Sequence, residues 1–104
     1  MTLVRSLCAA VEASVARKPV SLPLGAGILW SAFCELSLSR SMGPVGPNPI
    51  TFAEIEAWAR LMRVPLEPHH VRILLAMDRT WLEELRKDPT PPPLSAAAFD
   101  GIAG

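Results

Sequence analysis

Tyrosine is absent from this chain and aromatics are scarce: three tryptophans and three phenylalanines in 104 residues. Half of the residues are nevertheless hydrophobic, so Leu, Ala, Val, Ile and Met must supply most of the packing. That composition favours helices over sheets, where β-branched and aromatic side chains dominate. Net charge is lacking as well. Ten Lys and Arg balance ten Asp and Glu, which leaves no overall field to draw nucleic acid or an anionic membrane. The length leaves room for one hydrophobic core.

Cysteine is nearly missing. Cys8 and Cys34 lie in apolar patterns, and neither has a second ligand at a metal spacing such as C-x-x-C, so both are expected as free, buried thiols in a reducing cytoplasm. Long hydrophobic runs are missing too. The longest uncharged stretch, Pro19 to Cys34, contains two prolines and two glycines and falls short of the roughly 20 apolar residues that span a bilayer. The apolar run after Arg5 is cut by Glu12 and followed by Arg17 and Lys18, which reads as an amphipathic helix rather than an export signal. No phosphate-cradling glycine loop, nucleophile elbow or paired-cysteine box occurs. No catalytic, cofactor-binding or metal-binding residue is therefore predicted, and an enzyme is not expected.

What is present is helical periodicity. Leu3, Leu7, Ala10, Val11 and Val15 recur at helical intervals in a first helix over 2–17, closed by Pro19 and Pro23. A second helix fits 24–42, with Ala26, Leu29, Trp30, Phe33, Cys34 and Ser37 on one broad face and Ser31, Glu35 and Arg40 outside it. Gly25 and Gly27 weaken its first turn by about 1 kcal/mol each relative to alanine. From Gly43 to Pro49 breakers alternate so densely that no regular element is expected, only an extended connector.

The clearest local signal is Ile50-Thr51-Phe52-Ala53-Glu54-Ile55. A capping threonine, a glutamate three residues on and apolar residues at N′ and N4 make a capping box with a hydrophobic staple. The helix it opens, over 52–63, is read with Ile55, Trp58, Ala59, Leu61 and Met62 inward. Pro68 then starts a fourth helix over 68–87, because proline at the first helical position forfeits no hydrogen bond. Its stripe is read as Val71, Leu74, Leu75, Trp81, Leu82 and Leu85. The fold class expected is all-α: a bundle of about four helices in one domain over 1–88. The proline-rich stretch from Asp88 and the Ala-rich Leu94–Gly104 give a flexible tail over 89–104.

Three features invite chemistry. His69 and His70 are adjacent, and adjacent helical side chains point about 100° apart, so they read as solvated first-turn residues and not as a shared metal site. Asp78 falls on or at the rim of the apolar stripe, where an unpaired charge would cost several kcal/mol. It should accept hydrogen bonds from an arginine, an indole or backbone amides, as a tie between helices. The turn Val64-Pro65-Leu66 gives a helix-turn-helix outline, but the two-helix unit is slightly acidic, which makes phosphate contacts scarce.

Across Ile50-Thr51-Phe52-Ala53-Glu54-Ile55-Glu56-Ala57-Trp58, Leu66-Glu67-Pro68, Leu74-Leu75-Ala76-Met77-Asp78 and Trp81-Leu82, the chain resembles the small tail assembly chaperones of long-tailed bacteriophages and prophages. Trp30-Ser31-Ala32-Phe33 corresponds to the aromatic helix that often precedes this unit. The resemblance implies a small helical protein of the host bacterial cytoplasm that binds the tape-measure protein, keeps its long apolar helices soluble and helps recruit tail-tube subunits, with no cofactor. It also implies that Glu54, Trp58, Leu66, Pro68, Leu75, Asp78 and Trp81 serve mainly the fold, as the capping Thr51 does. Trp30, Phe33 and Phe99 are candidate partner anchors. Two alternatives stand beside this reading: a small structural head-tail or tail protein retained in the virion, and a helix-turn-helix regulator. The oligomeric state is not legible.

Overall fold

A computed structural model of the protein describes residues 2–87. The expected tail over 89–104, with Phe99, lies outside the described residues. Four helices follow one another: α1 (Leu3–Val15), α2 (Gly27–Leu38), α3 (Phe52–Met62) and α4 (Pro68–Lys87). The all-α bundle of the sequence reading is the architecture found.

α1 and α3 end for local reasons. Thr2 caps α1, its Oγ1 accepting the Arg5 N–H at 3.3 Å. The helix closes where Arg17 turns left-handed at φ 60° and the Lys18 N–H reaches back to the Ala13 carbonyl, the geometry of a Schellman stop. α3 ends in the same way, with Arg63 at φ 57° and the Val64 N–H donating to the Ala59 carbonyl.

α2 is shorter than the 24–42 expected. Gly25, at φ 86°, holds the chain out of the helical region, so the helix starts only at Gly27. At its far end the chain leaves the helix at Ser39 to enter a structure the sequence reading excluded. Met42–Gly43 (β1) and Gly46–Pro47 (β2) pair antiparallel in a minimal hairpin, Met42 opposite Pro47 and Gly43 opposite Gly46. The prolines do not forbid it. Pro44 occupies the first corner of the turn, where its fixed φ is suited, and Gly46 takes φ 132°, a value side chains rarely allow.

α4 is the centre of the molecule. α1 packs along it more extensively than any other pair of helices meets, α2 crosses onto it, and α3 leans mainly on α2. The core joins Leu7 and Val11 of α1, Leu29, Phe33 and Leu36 of α2, Ile50 and Ile55 around the start of α3, and Ile73, Leu74 and Met77 of α4. Each large side chain here contributes roughly 1.5–3 kcal/mol by leaving water. Ile73 and Met77 were not on the expected α4 stripe. They are buried because α1 and α2 cover a wider arc of α4 than one stripe supplies. Leu85, read as inward, is 37 % exposed near the end of the helix.

α3 departs furthest from expectation. Ile55 is its one buried residue, while Leu61 and Met62, both read as inward, are 77 % and 52 % exposed. Leu61 lies about 120° around the helix from Ile55. Met62 shares Ile55's face but sits in the last turn, beyond the core. Cys34, expected buried, is also exposed, and Cys8 is half-buried.

Candidate functional site

Two arrangements stand out: a closed polar knot at the end of α2, and an open groove beside α3. The knot is built around Asp78. Its Oδ2 accepts the Ile50 N–H at 2.9 Å, across 28 residues of sequence, and its Oδ1 lies 2.6 Å from Arg40 Nη1. That close contact is a charge pair out of line for a directed hydrogen bond; Arg40 Nε makes no hydrogen bond. The guanidinium also donates to the Asn48 carbonyl and to Ser37 Oγ, each at 3.0 Å, and lies 4.2 Å from the centre of the Trp81 ring.

Both charged side chains are buried, with 4 % of Arg40 and 3 % of Asp78 exposed. The sequence reading placed Arg40 outside, by extending the periodicity of α2 beyond its end. Because α2 stops at Leu38, Arg40 follows no helical register and turns inward. The ring face of Trp81 and the carboxylate of Asp78 receive it, which is the tie between elements that a carboxylate on an apolar stripe requires. The knot binds the end of α2, the hairpin connector and α4 into one unit, with the Asp78 carboxylate held by Arg40 and the Ile50 N–H.

The other sequence-predicted residues fall around these two arrangements. Thr51 and Glu54 form a complete capping box: Thr51 Oγ1 accepts the Glu54 N–H at 3.1 Å, and Glu54 Oε1 accepts the Thr51 N–H at 2.8 Å. The Trp58 indole N–H donates to Glu35 Oε1 at 2.8 Å, pinning α3 to α2. Pro68 is the first residue of α4, and Leu75 packs half-buried against the core. Of the candidate anchors, Trp30 is half-buried with its ring centre 6.3 Å from that of Phe33. Phe33 is only 5 % exposed and so presents little surface to a partner.

His69 and His70 stand with ring centres 4.0 Å apart, but they do not share a task. His70 Nδ1 accepts the Glu67 N–H at 3.1 Å, filling at the start of α4 the place that a capping glutamate fills in α3. Among the described residues, no three His, Cys, Asp or Glu side chains converge as metal ligands would. Cys34 opens onto a small cavity of about 210 Å³ with Val11, Trp30 and Trp81. Desolvation of the thiol, and secondarily the neighbouring Glu35 carboxylate, push its pKa above the ordinary thiol value, so it stays neutral at physiological pH.

The groove lies between α3 and the start of α4 and has a volume of about 890 Å³. Ile55, Ala59, Leu66 and Val71 supply apolar lining, Phe52 adds a further apolar side chain, and Glu56, Arg60 and Arg63 contribute the charged part of the wall. Phe52 is 69 % exposed. The groove exists because α3 leans on α2 and not on α4, leaving the turn Val64-Pro65-Leu66 to span an open angle. The sequence reading missed it by taking Ile55, Ala59 and Val71 as core-facing residues. Phe52, an apolar residue in the first turn of a well-capped helix, was the available signal. Among the described residues, no helix is long and apolar enough to cross a membrane.

Comparison with known proteins agrees with the resemblance drawn from the sequence. No curated protein and no solved structure matches the chain. A family model described as phage tail assembly chaperone matches residues 11–83, a span that runs from α1 into the last turns of α4 and takes in both the knot and the groove. On that match over well more than half of its length, the chain belongs to the phage tail assembly chaperone family.

Proposed function

We propose that this chaperone acts during tail morphogenesis in the host cytoplasm by holding apolar helical segments of the tape-measure protein in the groove between α3 and α4, and by helping to bring tail-tube subunits to them. The observation that carries the proposal is the unfilled apolar lining of that groove, with Phe52 left 69 % exposed on a chain of this family. What singles out Phe52 is that its exposed ring adjoins an open apolar groove, and contiguous exposed apolar surface marks contact sites. An amphipathic helix laid into such a groove covers that surface and its own. The role needs no bond making or breaking: binding delays aggregation, and release hands the segment on.

The test is co-expression with the tape-measure protein of the same phage. The chaperone should raise the soluble fraction of the tape-measure protein and co-purify with it. Phe52→Glu, at a position 69 % exposed, should abolish both effects while leaving the circular dichroism unchanged. Full solubilisation by the Phe52→Glu variant would remove the groove from the mechanism.

A further inference from the structure

The charged part of the groove wall carries information that the apolar lining does not. Arg60 and Arg63 line the groove towards the turn into α4, and among the described residues neither forms a salt bridge. The acidic groups on the same side do not answer them. Glu56 lies one helical turn before Arg60 on the groove wall, without a salt bridge to it. The Glu67 carboxylate, just past the turn, sits 3.8 Å from His69 Nδ1. The groove thus pairs an apolar strip with two unanswered cations at one end and a single anion along its length.

We infer that the segment this groove accepts is an amphipathic helix whose apolar stripe is flanked by acidic residues, which meet Arg60 and Arg63. The inference rests on the groove reading proposed above and adds the charge of the partner to it. An exposed rim pair gains little alone. Two cations beside a desolvated apolar contact instead discriminate, because an acidic flank is drawn in and a basic flank is repelled. The same cations would steer an acidic segment toward the groove before its apolar residues touch, and would do so less as salt rises.

Two synthetic helical peptides of about 18 residues, long enough to hold a helix in water, test this on the full-length protein. They carry the same leucine stripe, flanked in one by glutamates and in the other by lysines, and binding is read by fluorescence anisotropy of a label on the peptide. The acidic peptide should bind about tenfold more tightly at low salt, and the ratio should shrink at high salt. In the variant Arg60→Gln with Arg63→Asn, chosen because asparagine tolerates the left-handed backbone of position 63, the preference should disappear.

Equal affinities for the two peptides, or a preference that survives in that variant, would overturn the inference about charge. The groove reading would still stand if Ala59→Trp, which fills the groove, abolished binding of both. Binding of neither peptide, or binding untouched by Ala59→Trp, would bring down the groove reading and this inference with it. A change from dimer to monomer in Ala59→Trp by analytical ultracentrifugation would assign the groove to a second copy of the chain, and that too would overturn the proposal.

Discussion

The two flanks of α4 are built to opposite specifications. On one, α1 and α2 close over Leu74, Met77 and Asp78, each at 2 % exposure or less, and even a charge is buried with its partner. On the other, α3 stands off and leaves an apolar trough with Phe52 in water. The difference lies less in composition than in what lies opposite. The closed flank has two helices to supply complementary side chains, whereas the open flank has only a tight turn. The contrast separates two uses of apolar surface: one side buries it in the fold, and the other leaves it open, as the proposed partner contact requires.

The sharpest way to break the closed flank is at its charge. Asp78→Ala strands the Arg40 guanidinium in the core and frees the Ile50 N–H, and should cost about 3–5 kcal/mol, read as a lowered urea midpoint. A change under about 1 kcal/mol would mean that the pair is solvated. Next in size is a matched truncation. Leu74→Ala on the closed flank should cost about 2–5 kcal/mol. Leu61→Ala on the outer side of α3 should stay within about 0.5 kcal/mol. Equal losses would dissolve the distinction between the flanks.

Thr51→Ala removes one half of the capping box and should cost about 0.5–2 kcal/mol. Hydrogen exchange should show the loss first in the opening turn of α3, with the α1 amides unaffected, and uniform loss of protection would show that α3 is not a separable element. The smallest expected effect is a gain. Arg17 holds a left-handed conformation that costs a side chain about 1–2 kcal/mol. After allowance for the extra freedom of glycine in the unfolded chain, Arg17→Gly should raise stability by about 0.5–1 kcal/mol. A lowered melting temperature would show that the Arg17 side chain makes a contact worth more than the strain it imposes.

What could be read in the sequence was what neighbours along the chain decide. Thr51 and Glu54 interact three residues apart, and Pro68 needs no distant partner to start a helix, so α3 and α4 begin close to where local chemistry puts them. Asp78 was legible as a group in need of a tie, because a carboxylate on an apolar stripe poses that need by itself. Its partner was not. Arg40 looked solvent-facing only while α2 was continued past Leu38, and the hairpin that redirects it depends on Gly46 adopting a backbone angle that no periodicity reports. The groove was hidden for the same kind of reason. The apolar residues of α3 were countable, but whether α4 or water would face them is decided by how α3 rests on α2, which is a long-range matter.

The pairing of α1 with α4 has a consequence for how the protein is made. The earliest of the four described helices finds its main cover in the latest of them, so Leu7 and Val11 must wait for that cover until the residues around Leu74 have followed. Contacts of such long reach are slow to form, and a chain interrupted before them would expose apolar surface prone to aggregation. A chain cut short before residue 74 would leave Leu7 and Val11 without the helix that covers them.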